Sequence, residues 1–223
     1  MDFMKILRSL EELLYEVMTW LVFYPRTVVL TLFWPVRTLE YSRLEYDRPT
    51  DERYDRTLSP PLFLLLSLLL SHLLELVLHF STPEMEASPL SRLSDQNLVI
   101  VRSLFFAVFP LMFALHQVKA IGLPLSRTSL RGPFFVECYP AAVFALMLQV
   151  GMTTAGAVPN AQVPGGLLAA GAVVWYLGVQ TLWISRVDRR RWRAFAVALW
   201  QWLKAATVLV AVAIAIQYLA RPD

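Results

Sequence analysis

A single cysteine, Cys138, is all that the 223 residues offer in thiol chemistry, so an intrachain disulfide is excluded and a thiolate metal cluster has no ligand set. Lysine is nearly as scarce, with only Lys5, Lys119 and Lys204 among the 20 basic residues. The net charge of +3 is small and lies between apolar runs, which argues for membrane orientation and against nucleic-acid binding. Catalytic signatures are missing too. No GxSxG, HExxH or Walker motif occurs, and Gly165-Gly166 lacks a phosphate-cradling context. The two-glutamate-plus-histidine pattern of intramembrane metalloproteases is also missing. The chain therefore reads as no enzyme, and no cofactor or metal is assigned to it. No period of 20–50 residues recurs, so neither a repeat protein nor an inverted-repeat transporter is indicated. The start, MDFMKILRSLEELLYEV, carries Glu11, Glu12 and Glu16 where a cleavable signal needs an apolar core.

What the chain does have is length in apolar runs. Residues 58–80, LSPPLFLLLSLLLSHLLELVLHF, match in length the ~30 Å hydrocarbon layer of a bilayer. Four more runs follow, giving spans at roughly 60–80, 98–121, 133–156, 165–186 and 194–219. Their connections alternate in basic charge. Residues 1–59 hold eight Lys and Arg, 81–97 hold only Arg92, and the next loop holds Lys119, Arg127 and Arg131. Residues 157–164 carry no charge, and the last loop is again rich in Arg. This alternation puts the N-terminus in the cytoplasm and the C-terminus outside. The bias of Arg over Lys, with abundant Ala, Leu and Val, fits a GC-rich bacterial genome and thus a bacterial inner membrane.

Residues 6–21 follow another rule. Ile6, Leu7, Leu10, Leu13, Leu14, Val17, Met18 and Leu21 recur with helical period, and Arg8, Glu11, Glu12 and Glu16 take the opposite side. A second apolar stretch runs from Thr27 to Val36. Two interfacial helices joined at Pro25 account for this, and the competing reading is a kinked sixth span over 13–36. The expected fold is an all-α integral membrane protein of five transmembrane helices, preceded by an N-terminal interfacial amphipathic helix pair. Residues 1–59 form the cytoplasmic or interfacial region and 60–223 the transmembrane domain. Within the first region, 37–57 mix five Arg with six acidic residues, as in Arg37/Glu40 and Arg48/Glu52. They read as a solvated, ion-pair-laced segment, or as a docking surface for a cytoplasmic protein with Tyr41, Tyr46 and Tyr54 as anchors.

Ionisable residues inside apolar spans are costly and face protein or water. His72, Glu75 and His79 share one face of the first span. They suit a Glu–His pair that fixes helix packing, a protonatable site lining a polar path, or a metal site, although HxxExxxH is not a standard metal motif. Arg102 can reach Glu75 or His79 across the first two spans, and His116 can reach Glu137. Small residues, including Gly151, Gly165, Gly166, Gly171 and Gly178, enrich the last three spans and imply close helix packing, within a subunit or in a homo-oligomer. Around the final loop, Arg186, Arg189, Arg190, Arg191, Trp192 and Arg193 form an aromatic and basic belt suited to anionic lipid.

The block FYPRTVVLTLFWPVRTLEY, followed by LSPPLF and five spans, resembles small bacterial proteins loosely labelled permeases. The layout is also similar to that of the Yip1 family, in which a cytoplasmic N-terminal region precedes five membrane helices. Two functions follow as expectations. One is a small permease- or channel-like protein passing an ion or solute along the His/Glu stripe. The other is a non-transporting scaffold or accessory subunit docking partners through 37–57.

Overall fold

The computed structural model describes residues 3–49, 53–78, 95–187 and 190–219, and among them every regular element is an α-helix. These are α1 (Phe3–Phe33), α2 (Pro35–Tyr46), α3 (Pro60–Val77), α4 (Asp95–Phe106), α5 (Val108–Ala120), α6 (Arg127–Ala157), α7 (Gln162–Ile184) and α8 (Arg191–Leu219). Among the described residues, six stretches are long and apolar enough to cross a membrane: Leu7–Phe33, Pro60–Val77, Val101–Ala120, Arg127–Ala157, Gln162–Ile184 and Arg191–Ala215. That is the architecture of a multi-pass membrane protein. Five of the stretches coincide with expected spans, and the sixth lies in α1.

Local chemistry sets the helix boundaries. α3 starts on Pro60-Pro61, where a missing N–H breaks no helical bond. α6 starts at a reciprocal cap. The Ser126 hydroxyl accepts from Ser129 N at 3.1 Å, and the Ser129 hydroxyl accepts from Ser126 N at 3.0 Å. That cap begins α6 at Arg127, ahead of the expected 133, and the helix continues through Pro133 and Pro140. Pro110 lacks the N–H that would bond Phe106 O, and the helix is interrupted just before it, at Ala107, between α4 and α5.

The expected break at Pro25 is not found. α1 is continuous from Phe3 to Phe33, and the chain turns instead at Trp34-Pro35. Packing on both sides of Pro25 explains the continuity, since Trp20, Phe23, Tyr24, Val28 and Leu32 all rest on the bundle core. The two halves of α1 differ sharply. Side chains 7–18 are exposed, whereas Thr27 and Thr31 are fully buried. Tyr24 Oη donates to Ser67 Oγ at 3.1 Å, and Trp175 Nε1 donates to Leu32 O at 3.2 Å.

α6 forms the centre, buried without interruption from Val136 to Ala145. α3, α5 and α7 pack along it, and α2 crosses near its start. Against α7 the approach is backbone to backbone. A Cβ on Gly151 would lie 2.6 Å from Ala169 N, and one on Gly165 only 2.4 Å from Ala155 N. Gly166, Gly171 and Gly178, by contrast, face open space. Gly151→Ala and Gly165→Ala should each lose about 1–3 kcal/mol through overpacking. Gly171→Ala and Gly178→Ala should leave stability unchanged or slightly raised, and thermal unfolding in detergent separates the two classes.

Candidate functional site

The expected site residues fall into two polar nodes at different levels of the bundle. In the first, α3 places Ser67, Ser71, His72 and Glu75 on its buried face. The two serines turn inward, bonding Phe63 O at 2.8 Å and Ser67 O at 2.7 Å. From α4, Arg102 reaches across so that its Nη1 donates to Glu75 Oε2. The same nitrogen lies 3.4 Å from His72 Nδ1, which is itself 3.6 Å from Glu75 Oε2. A carboxylate, a guanidinium and an imidazole thus meet in a little-exposed place where the ion pair offsets part of the desolvation cost. His79 lies outside the described residues.

The second node centres on Glu137 of α6, which is 0% exposed. Gln117 of α5 donates its amide to Oε1, and Gln180 of α7 donates to Oε2. Among the described residues no basic group pairs with this carboxyl, so two neutral amides alone bind three helices together. The expected partner, His116, is turned away, and its charged neighbour is Lys204 of α8. Helical phase decides this. Phe109 and Phe113 pack inward, and Gln117 continues their four-residue interval, whereas His116 sits about 100° round the helix. The run Phe109–Phe113–Gln117 is the sequence signal that would have identified the true partner.

Between the nodes the bundle is filled with rings. Phe144 stacks on Tyr176 with centroids 4.7 Å apart, and Phe109 meets Phe144 edge-on at 5.1 Å. Phe113 abuts Tyr176 at 5.6 Å, while Phe106 and Trp202 close the sides. Arg102 and Gln117 are separated by about 22 Å of helix, at 1.5 Å per residue, much of it lined by this aromatic block.

A third cluster closes the end where α3 begins. Glu45 of α2 is buried, accepts from Tyr54 N at 2.9 Å, and pairs with Arg48 at 2.8 Å. It thereby holds Tyr54 in a left-handed conformation (φ 61°), which bulky residues rarely adopt. Tyr139 Oη donates to Leu58 O at 2.7 Å, and Thr27 Oγ1 accepts from Leu58 N at 3.5 Å. Tyr46 packs on Phe135 and Tyr54 on Tyr139, so both point into their own bundle. Burial pushes the Tyr54 phenol above its ordinary range, which keeps it neutral. Glu45 and Tyr139, unlike Gln117, carry no sequence signal of their roles, because only the fold brings their partners near.

In the basic belt, Arg186 pairs with Glu40 of α2 and lies 5.8 Å from the Trp183 ring centre, so it is engaged within the chain. Arg190, Arg191, Trp192 and Arg193 are exposed, and Arg189 lies outside the described residues. Among the described residues no group of three or more His, Cys, Asp or Glu is placed to hold a metal ion. No family model matches the chain, and neither a curated protein nor a solved structure is found similar to it.

The first node makes a direct thermodynamic prediction. Glu75→Leu or Arg102→Leu alone should cost up to about 3 kcal/mol, since each leaves a buried charge without its partner. The double variant should cost less than the sum of the two. A double-mutant cycle on thermal unfolding reads the coupling, and strict additivity would show that the pair carries none.

Proposed function

We propose that the protein is a non-transporting membrane scaffold or accessory subunit that docks a cytoplasmic partner on the surface of α2 and the turn following it. The observation that carries this reading is the aromatic block between the two polar nodes. Ionisable groups that could serve a path are divided by tightly packed rings. The turn supports the same reading from the other end of the bundle. A solvated loop needs no buried carboxylate, yet Glu45, Tyr139 and Thr27 fasten residues 54–58 to the helices. The face they support is charged, with Arg43, Asp47, Arg48 and Asp55 exposed. Since Tyr46 and Tyr54 are spent on internal packing, recognition would fall to these charges rather than to aromatic anchors. The permease- or channel-like reading, the first of the two expected from sequence, is here the second choice, favoured by one observation: Glu75, His72 and Arg102 lie together inside the apolar stretches.

We also infer five crossings in a bacterial inner membrane, with residues 1–59 cytoplasmic, the residue-223 end outside, and α1 lying in the interface. Support comes from the exposed first half of α1 with its Arg8, Glu11, Glu12 and Glu16, and from the alternation of basic loops. A thiol probe applied to a Met4→Cys variant in right-side-out vesicles should fail to label it. Labelling from outside would instead make α1 a sixth crossing.

For docking, a photo-cross-linker at Arg43 or Asp47 should yield discrete adducts in cells, and one at the exposed Val174 of α7 should yield none. Glu45→Ala frees Tyr54 N, a loss of about 1–3 kcal/mol that releases the turn, and should lower adduct yield severalfold. Absence of adducts at Arg43 and Asp47 would remove the docking surface.

A further inference from the structure

α1, α2 and the turn before α3 enclose a groove of about 390 Å³. Its lining includes Arg26, Arg37 and Arg56, together with Leu30, Trp34 and Tyr41, and among the described residues no acidic one contributes. All three arginines are exposed, and among the described residues none of them forms an ion pair. In this they differ from Arg48, Arg102 and Arg186, each of which has a carboxylate partner. The Tyr41 hydroxyl is shielded from solvent and lies beside Thr57 and the Arg56 backbone. Three positive charges drawn from α1, α2 and the turn thus meet in a lining that, among the described residues, holds no counter-charge.

We infer that this groove is a binding site for the phosphate headgroup of an anionic phospholipid. Guanidinium groups match phosphate oxygens in a bidentate fashion, which suits Arg better than Lys. Arg56 lies four residues before Pro60, where the apolar span of α3 begins, so the groove sits at headgroup depth. Trp34 is 49% exposed, as indole side chains are at the membrane boundary. Leu30, with the exposed Val29 and Phe33 on the same helix, supplies an apolar wall for an acyl chain. Charge complementarity selects an anionic headgroup, and the adjoining apolar wall selects a lipid over a free anion. The site is distinct from the basic belt around Arg191 and does not depend on what docks at Arg43.

The test uses the full-length protein in nanodiscs of phosphatidylcholine, with and without phosphatidylglycerol, and native mass spectrometry to count lipids retained after release. Wild type should hold phosphatidylglycerol in preference to phosphatidylcholine. Each of Arg26→Gln, Arg37→Gln and Arg56→Gln should weaken retention about fivefold, and the triple variant by on the order of a hundredfold. These side chains are exposed, and an unchanged melting temperature would confirm that the fold is intact. The control variant, Arg8→Gln with Lys119→Gln and Arg127→Gln, removes the same charge at exposed positions outside the groove and the basic belt, and should retain the lipid. Equal loss in the control would reduce the effect to diffuse attraction and overturn the site, as would equal retention of both lipids. Inorganic phosphate forms the last arm. If it displaces the retained phosphatidylglycerol at millimolar concentration, the ligand is a soluble anion and the lipid assignment fails.

Discussion

The length of α6 constrains everything around it. At 31 residues it extends about 46 Å, well beyond the ~30 Å hydrocarbon layer of a bilayer. One helix therefore serves two neighbourhoods. Its second half carries Gly151, where α7 closes to backbone contact, while Gly132, Glu137 and Tyr139 in its first half receive α2, α5, α7 and the turn before α3. Lipid supplies little drive for apolar side chains to associate, so specific contacts must hold the helices. They are of four kinds here: a glycine seam, the Glu75–Arg102 ion pair, a buried carboxyl clasped by two amides, and a stack of aromatic rings.

The same constraint makes the polar groups ambiguous. A charge inside an apolar helix marks either a pathway or a clasp, and geometry separates the two by continuity. Glu75 and Arg102 satisfy one another, Glu137 is satisfied by Gln117 and Gln180, and rings occupy the space between. Both nodes have the form of clasps. Near the α3 start, Glu45 applies the same logic to a turn and fixes a charged surface on a rigid base.

Much of the layout was legible in the sequence because membrane helices announce themselves by apolar length. Pro60 was readable as a helix start, and the Glu75–Arg102 encounter could be anticipated because both are ionisable and lie at similar depth. Rotation was not legible. Exchanging His116 for Gln117 is a shift of one residue, about 100° of helix, and only the inward packing of Phe109 and Phe113 decides it. Pro25 misled for a different reason. Proline weakens a helix locally, but Tyr24 and Val28 on either side of it are held by the bundle, so tertiary contact overrode the break. Tyr46 and Tyr54, anchors in one of the two readings of residues 37–57, pack instead on Phe135 and Tyr139; composition cannot tell which face a segment offers to its own core.

The central claim is that packed rings divide the two nodes, so that their polar groups act as clasps and not as a pathway. Ion and proton flux through protein reconstituted in sealed liposomes tests it most directly, with wild type compared with Glu75→Gln at matched folding across acid to neutral pH. The account predicts that wild-type vesicles stay as tight as empty ones under every gradient. A pH-dependent wild-type flux that Glu75→Gln abolishes would contradict it and restore the polar stripe as a pathway.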